Sequence, residues 1–311
     1  MGRIFGIAAA IVVVVVGGAL LVKGFGASPV SNDGNSAKGN SASRPSGDIV
    51  PCSKPPAVSV NSARQTSDGL SVETTMSSSC ADGDVVTDPS FGLALSDGVN
   101  DVAAGLFNAK HDPIVIPANG TTDREFVFPS GTYFRTVELM NTSNLSAVAT
   151  RSSTSSSSSG SVTDGAETLT AFSGTQPTHG TADSAAISGL NDLVNSDRPY
   201  VTQYLADRWI PQISSKRPGL IWEGINWSPS EILREHLALR QRYENVRLVW
   251  SGDWRTFNEP DWWVTIVGDT SPSADQTLRW CVSERLDVDH CYAKIVSTTR
   301  GVDGTTVLQK R

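Results

Sequence analysis

Apolar residues fall in three patterns along this chain, and each predicts a different kind of element. Ile4 to Val22 is unbroken apolar sequence without charge or proline. As a helix it rises about 28 Å, close to the ~30 Å hydrocarbon core of a bilayer. Between residues 52 and 140 the pattern alternates. Val58-Ser59-Val60, Leu70-Ser71-Val72 and Phe91, Leu93, Leu95 each put apolar side chains on one face of a strand. Asp68-Gly69 and Asp97-Gly98 supply turns, and prolines adjoin Ile114-Val115-Ile116 and Phe126-Val127-Phe128. Many short strands with frequent turns predict an all-β, sandwich-like domain.

The third pattern alternates strand-like and helical runs. Leu220 to Trp227 reads as a strand. Ser228-Pro229-Ser230-Glu231 then opens a helix to about Tyr243, with a capping serine, proline in the first turn and Glu231 at the third helical position. Val246–Ser251 and Trp262–Gly268 read as strands around a wide turn, Asp253 to Asp261. A second helix opens at Ser271-Pro272-Ser273 and runs to about Glu284, and Cys291–Ser297 is a last strand. The order βαββαβ predicts an α+β, ferredoxin-like domain over 218–299, with both helices on one face of the sheet and the other face open. Upstream, Ser196-Asp197-Arg198-Pro199 reads as the start of a connecting helix that Pro211 ends.

These elements divide the chain into a tip (1–3), a transmembrane helix (4–22), a Gly/Ser/Asn/Pro-rich flexible stalk (23–51), the sandwich-like domain (52–140), a Ser/Thr/Gly-rich linker (141–182), a helical connector (183–217), the α+β domain (218–299) and a tail (300–311). The amino terminus and Arg3 precede the apolar run, which favours an N-in, C-out orientation. A cleaved signal peptide is the rival reading. Gly24-Phe25-Gly26-Ala27 places Phe25 where cleavage needs a small residue, and this favours a retained anchor. Either way the remainder is expected outside the cytoplasm, with the lipid bilayer as a partner through residues 4–22.

Charge and chemistry narrow the function. A net charge of −7 argues against a nucleic-acid binder. Cys52, Cys80, Cys281 and Cys291 form no CxxC, and no histidine lies at zinc-finger spacing. Four cysteines allow three pairings, and proximity favours Cys52–Cys80 and Cys281–Cys291. Asp82-Gly83-Asp84 lacks the acidic ladder of a calcium loop and reads as a solvated turn. HExxH, GxSxG and P-loop motifs are absent. His236 is expected at a helix surface or core edge. Glu223 and Asp253 are a carboxylate pair near strand ends of the kind a glycosidase needs. No cofactor or metal is expected, and a binding protein is favoured over an enzyme.

All eight tryptophans lie between Trp209 and Trp280. Adjacent Trp262 and Trp263 must point to opposite faces of a strand. With Val264 and Ile266 assigned to the core, Trp263 and Thr265 face the open side, with Arg247, Tyr292, Lys294 and Trp222 as companions in a candidate ligand-binding face. The segments VRLVWSGDW, DWWVTIVG, LRWC and DHCYAK resemble a C-terminal module of uncharacterised single-pass membrane proteins of high-GC Gram-positive bacteria. The βαββαβ order at the end of an anchored chain also resembles SPOR domains. That resemblance implies binding to peptidoglycan glycan strands in the cell envelope. The alternative expectation is a scaffold or sensor that docks an exported protein.

Overall fold

The computed structural model of the chain describes residues 51–152 and 164–310. The expected membrane helix at 4–22 and the stalk up to residue 50 lie outside the described residues. Among the described residues no helix is long and apolar enough to cross a membrane. Gly47–Arg311 forms one compact unit built mostly of β-sheet.

Ten strands form its first half: β1 (Ala57–Thr66), β2 (Gly69–Ser77), β3 (Asp84–Val86), β4 (Phe91–Ser96), β5 (Asp101–Phe107), β6 (Ile114–Ile116), β7 (Thr121–Phe128), β8 (Ser146–Thr150), β9 (Thr168–Thr170) and β10 (Ser173–Gly174). Two four-stranded sheets, β1-β2-β7-β9 and β10-β5-β4-β8, share a core in which Phe107 meets Phe126 and Phe128 edge-on at 4.8 and 5.2 Å. The alternation in β2 and β4 has its physical basis here, since each such aromatic or leucine contributes roughly 1.5–3 kcal/mol when buried. Gly69 closes the first hairpin at φ 137°, and a Cβ there would meet the Phe128 carbonyl oxygen at 2.1 Å. Strands β8, β9 and β10 fall inside the segment expected as a linker. Of the turn expected to be solvated, Asp82 is exposed but Asp84 is fully buried: Arg151 reaches Asp84 and Asp88 at 3.1 Å, and Asp84 accepts the Cys52 N–H at 2.7 Å. The Cys52–Cys80 disulfide staples the same corner.

The second half contains α1 (Ala182–Tyr200), β11 (Trp209–Lys216), β12 (Ile221–Trp222), β13 (Ile225–Asn226), α2 (Pro229–Arg242), β14 (Val246–Trp250), β15 (Trp263–Val267), α3 (Ala274–Ser283), β16 (Tyr292–Ile295) and β17 (Thr306–Val307). Ser228 and Ser273 cap α2 and α3 through the N–H of Glu231 and of Gln276. The sheet order is β14-β15-β11-β16-β17, antiparallel throughout. Cys281–Cys291 ties α3 to the start of β16.

The self-contained ferredoxin-like domain expected over 218–299 is not what forms. Its first strand is Trp209–Lys216, upstream of that boundary, and the expected strand Leu220–Trp227 is a two-residue-per-strand hairpin bent at Glu223 and Gly224, both at positive φ. The sheet has a fifth strand, and helix α1 packs beside α2. α1 starts at Thr181, whose side chain caps it. The expected start at Ser196–Pro199 is its last turn, which widens into a π turn at Val201–Leu205 after the proline removes an N–H from the ladder. Nor do the halves separate. Leu248, Trp263 and Leu233 join the same apolar cluster as Phe126 and Leu190. Gly189 of α1 lies so close to residue 134 that a Cβ would sit 2.1 Å from the Phe134 carbonyl oxygen.

Both faces of the C-terminal sheet are covered, and this decides the orientation of β15. On the helix side, Trp263 packs edge-on against Trp250 at 4.8 Å, and Thr265 bonds to His236 at 2.9 Å. On the other side, Val264 and Ile266 pack with Val201, Leu205, Trp254 and Val296. Trp263 is 8% exposed and Thr265 3%, so the expected placement of both on an open face is corrected.

Candidate functional site

The face away from the helices is roofed by the segment between β14 and β15 and flanked by β17, and a cavity of about 220 Å³ lies beneath. A bulge in β11 shapes it. Ile213 and Ser214 both turn to the helix side, where Ser214 donates to Glu235 of α2, so Gln212 and Ser215 share the cavity side three positions apart. Across the ladder Gln212 pairs with Tyr292, and Ile210 with Lys294. Residues two apart in β16 share a face, so Tyr292 and Lys294 both reach the cavity. Thr256, Phe257 and Trp262 enclose it from above.

Several polar groups here are buried. Lys294 is 4% exposed. Its ammonium donates to the Thr256 carbonyl at 2.5 Å and to Thr306 Oγ1 at 2.8 Å, and lies 4.6 Å from the Phe257 ring centroid. Burial pulls its pKa down to about 8. Tyr292 bonds to Gln212 and Ser215, and burial raises its pKa. Gln212, Thr256 and Trp262 line this cavity, and their Oε1, Oγ1 and Nε1 atoms are buried with no partner among the described residues. Such groups cost roughly 1–3 kcal/mol each when left unmade.

A neighbouring cavity of about 200 Å³ shares Ser215, Trp262 and Tyr292 with the first and adds Lys216, Trp222 and His290. His290 bonds to Asp287 at 2.7 Å and lies 3.1 Å from Glu223; the Asp287 bond and then the two negative charges raise its pKa. No family model, curated protein or solved structure matches the chain.

Of the six residues expected on one face, the structure brings Tyr292 to both cavities, Lys294 to the first and Trp222 to the second. Trp263 and Thr265 lie on the opposite side of the sheet. Arg247 is elsewhere again, 4.4 Å from the Tyr200 ring and 3.5 Å from Asp197. Sequence reasoning missed Gln212, Thr256 and Trp262. The alternation argument held the signal for Trp262, since it must oppose Trp263. Gln212 was hidden because β11 was read as part of a helical connector. The carboxylates Glu223 and Asp253 are engaged separately, with His290 and with Arg198.

A second polar cluster ties α1 to α2 and to the C-terminal sheet. Asp197 accepts the Leu248 N–H at 2.8 Å, covering the free edge of β14, and binds Arg240. Arg240 Nε donates to His236 Nε2 at 3.0 Å, so His236 is the Nδ1–H tautomer, donating to Thr265. His236, expected at a helix surface or core edge, is fully buried. Burial, then the charges of Arg240 and Arg247, hold its pKa well below the ordinary value. Two guanidiniums, of Arg240 and Arg247, share the Asp197 carboxylate, and the bonds run between α1, α2, β14 and β15, which fits a structural joint.

Proposed function

We propose that this is an anchored cell-envelope protein whose C-terminal half binds a wall component, peptidoglycan or a fragment of it, and does not transform it. One observation carries the reading: the roofed cavity, lined by aromatic Phe257, Trp262 and Tyr292 and by three residues, Gln212, Thr256 and Trp262, that each keep a buried polar atom without a partner among the described residues. Aromatic faces beside unsatisfied donors and acceptors suit a sugar ring, whose hydroxyls do both and whose C–H faces stack. At about 220 Å³ the cavity is smaller than the roughly 300–1,000 Å³ of drug-sized sites, and so fits a single ring or a terminal group of a longer chain. The two disulfides support an oxidising, extracytoplasmic setting, with residues 4–22 as the membrane anchor.

The test is co-sedimentation of the full-length chain with insoluble peptidoglycan. Retention of the parent and weaker retention of Thr256→Val, which deletes one unpartnered hydroxyl at constant shape, is the expected result. A parent that stays in the supernatant sinks the reading. It would favour an exported protein partner, for which the half-exposed Trp222 and exposed Ile221 at the β12–β13 hairpin offer the contact.

A further inference from the structure

We propose that this cavity recognises a carboxylate, with Lys294 as its partner; the inference rests on the ligand-site reading and specifies the charge of what enters. Cations are rarely fully buried without a counter-ion, because the desolvated charge is costly. The other buried cations of the described residues obey that rule. Arg124 pairs with Asp164, Arg135 with Asp192 and Lys216 with Glu235, and Arg151 has both Asp84 and Asp88. Lys294, just as buried, has no carboxylate within ion-pair distance among the described residues. Two of its three N–H bonds go to neutral acceptors, Thr256 O and Thr306 Oγ1. The third is available to whatever occupies the cavity.

The surrounding groups fit the same partner. Trp262 Nε1–H is a donor without an acceptor, and the Thr256 hydroxyl can donate. With the ammonium these donors outnumber the one unpartnered acceptor, Gln212 Oε1, and favour an anionic, oxygen-bearing group. Glu259 and Tyr292 are the other titratable residues of the lining, and neither forms an ion pair with Lys294. The direction of the lysine's shift agrees, since burial alone lowers its pKa and no neighbouring charge raises it. A bound carboxylate supplies the missing counter-charge and drives the ammonium to full protonation.

Two wall-derived sources carry such a group: the lactyl carboxylate of N-acetylmuramic acid and the C-terminal carboxylate of a stem peptide. Titration calorimetry of the full-length chain with N-acetylmuramic acid, with D-alanyl-D-alanine, and with uncharged N-acetylglucosamine separates them. One carboxylate probe should bind more tightly than N-acetylglucosamine. Its binding should take up protons when measured near pH 8, where free Lys294 is partly neutral. Lys294→Met should weaken that probe on the order of ten- to a hundredfold, the worth of a charge-assisted hydrogen bond. Binding of N-acetylmuramic acid assigns the saccharide source, and binding of the dipeptide the peptide source. Equal affinity for N-acetylglucosamine with no effect of Lys294→Met overturns the carboxylate while leaving the ligand site standing. Failure of both carboxylate probes, with co-sedimentation intact, also overturns it; loss of co-sedimentation as well removes both readings.

Discussion

Replacing Lys294 by Met should make the protein more stable at neutral pH. The perturbation removes a charge that the fold desolvates without compensation. The lysine's fall from 10.5 to about 8 corresponds to about 3 kcal/mol spent at neutral pH to keep the buried ammonium protonated. Met fills similar space but forfeits the bonds to Thr256 O and Thr306 Oγ1, at about 0.5–1.5 kcal/mol each. The net gain is then on the order of 1 kcal/mol at pH 7. Its pH dependence is the sharper signature. The native state releases the Lys294 proton near pH 8, whereas the unfolded chain holds it to about 10.5. The unfolded state therefore binds more protons in this window, and the parent gains stability as pH rises through it. The variant lacks that gain, so its advantage should shrink and reverse between about pH 8 and pH 10.5. Denaturant unfolding of both proteins across this range measures the difference and cancels other titrations. Parallel stability curves would refute the reasoning, because they would mean that Lys294 is solvated or has a counter-ion.

Three further outcomes follow from the packing. Trp263→Ala should cost about 3–5 kcal/mol in thermal or denaturant unfolding, since the indole is core on the helix side; an unchanged melt would return it to the surface. His236 is held neutral, so the native state binds fewer protons than the unfolded chain below the ordinary pKa of 6.5. Stability should fall as pH drops through that value, at no more than about 1.4 kcal/mol per pH unit, and His236→Asn should abolish the slope relative to the parent. Arg151→Ala leaves Asp84 and Asp88 buried without a cation and should cost about 3–5 kcal/mol, measured at pH 7; a loss below 1 kcal/mol would mean that the corner is hydrated.

Much of the architecture could be read from local signals. Alternation marked β2 and β4, and Ser-Pro starts marked α2 and α3, because these depend on neighbouring residues alone. The cysteine pairs were legible because each joins segments close in sequence. What escaped depends on contacts between distant segments. Pro211 disguised β11 as the end of a helix; in the fold it precedes the stretch that pairs with β15, which begins at Gln212. The sandwich-completing strands Ser146–Thr150 and Thr168–Thr170 are made of small and hydroxyl residues that look like linker. The face of Trp263 could not be chosen from apolarity. Val264 and Ile266 are buried too, under a roof built from the π turn, Trp254 and Phe257. The candidate site suffered the same ambiguity: Tyr292 and Lys294 were expected beside Trp263 and Thr265, and the two pairs lie on opposite sides of the sheet.

The adjacent tryptophans turn that error into a direct test of the ligand site. Their indole N–H signals report the two sides of the sheet: Trp262, just before β15, lines the cavity, and Trp263, its first residue, lies on the helix side. Adding soluble peptidoglycan fragments to the isotope-labelled full-length chain should shift the Trp262 indole N–H and the Gln212 side-chain amide while leaving the Trp263 indole in place. A shift at Trp263 with Trp262 unmoved, or no shift at either under saturating fragment, would contradict the assignment of the cavity as the binding site.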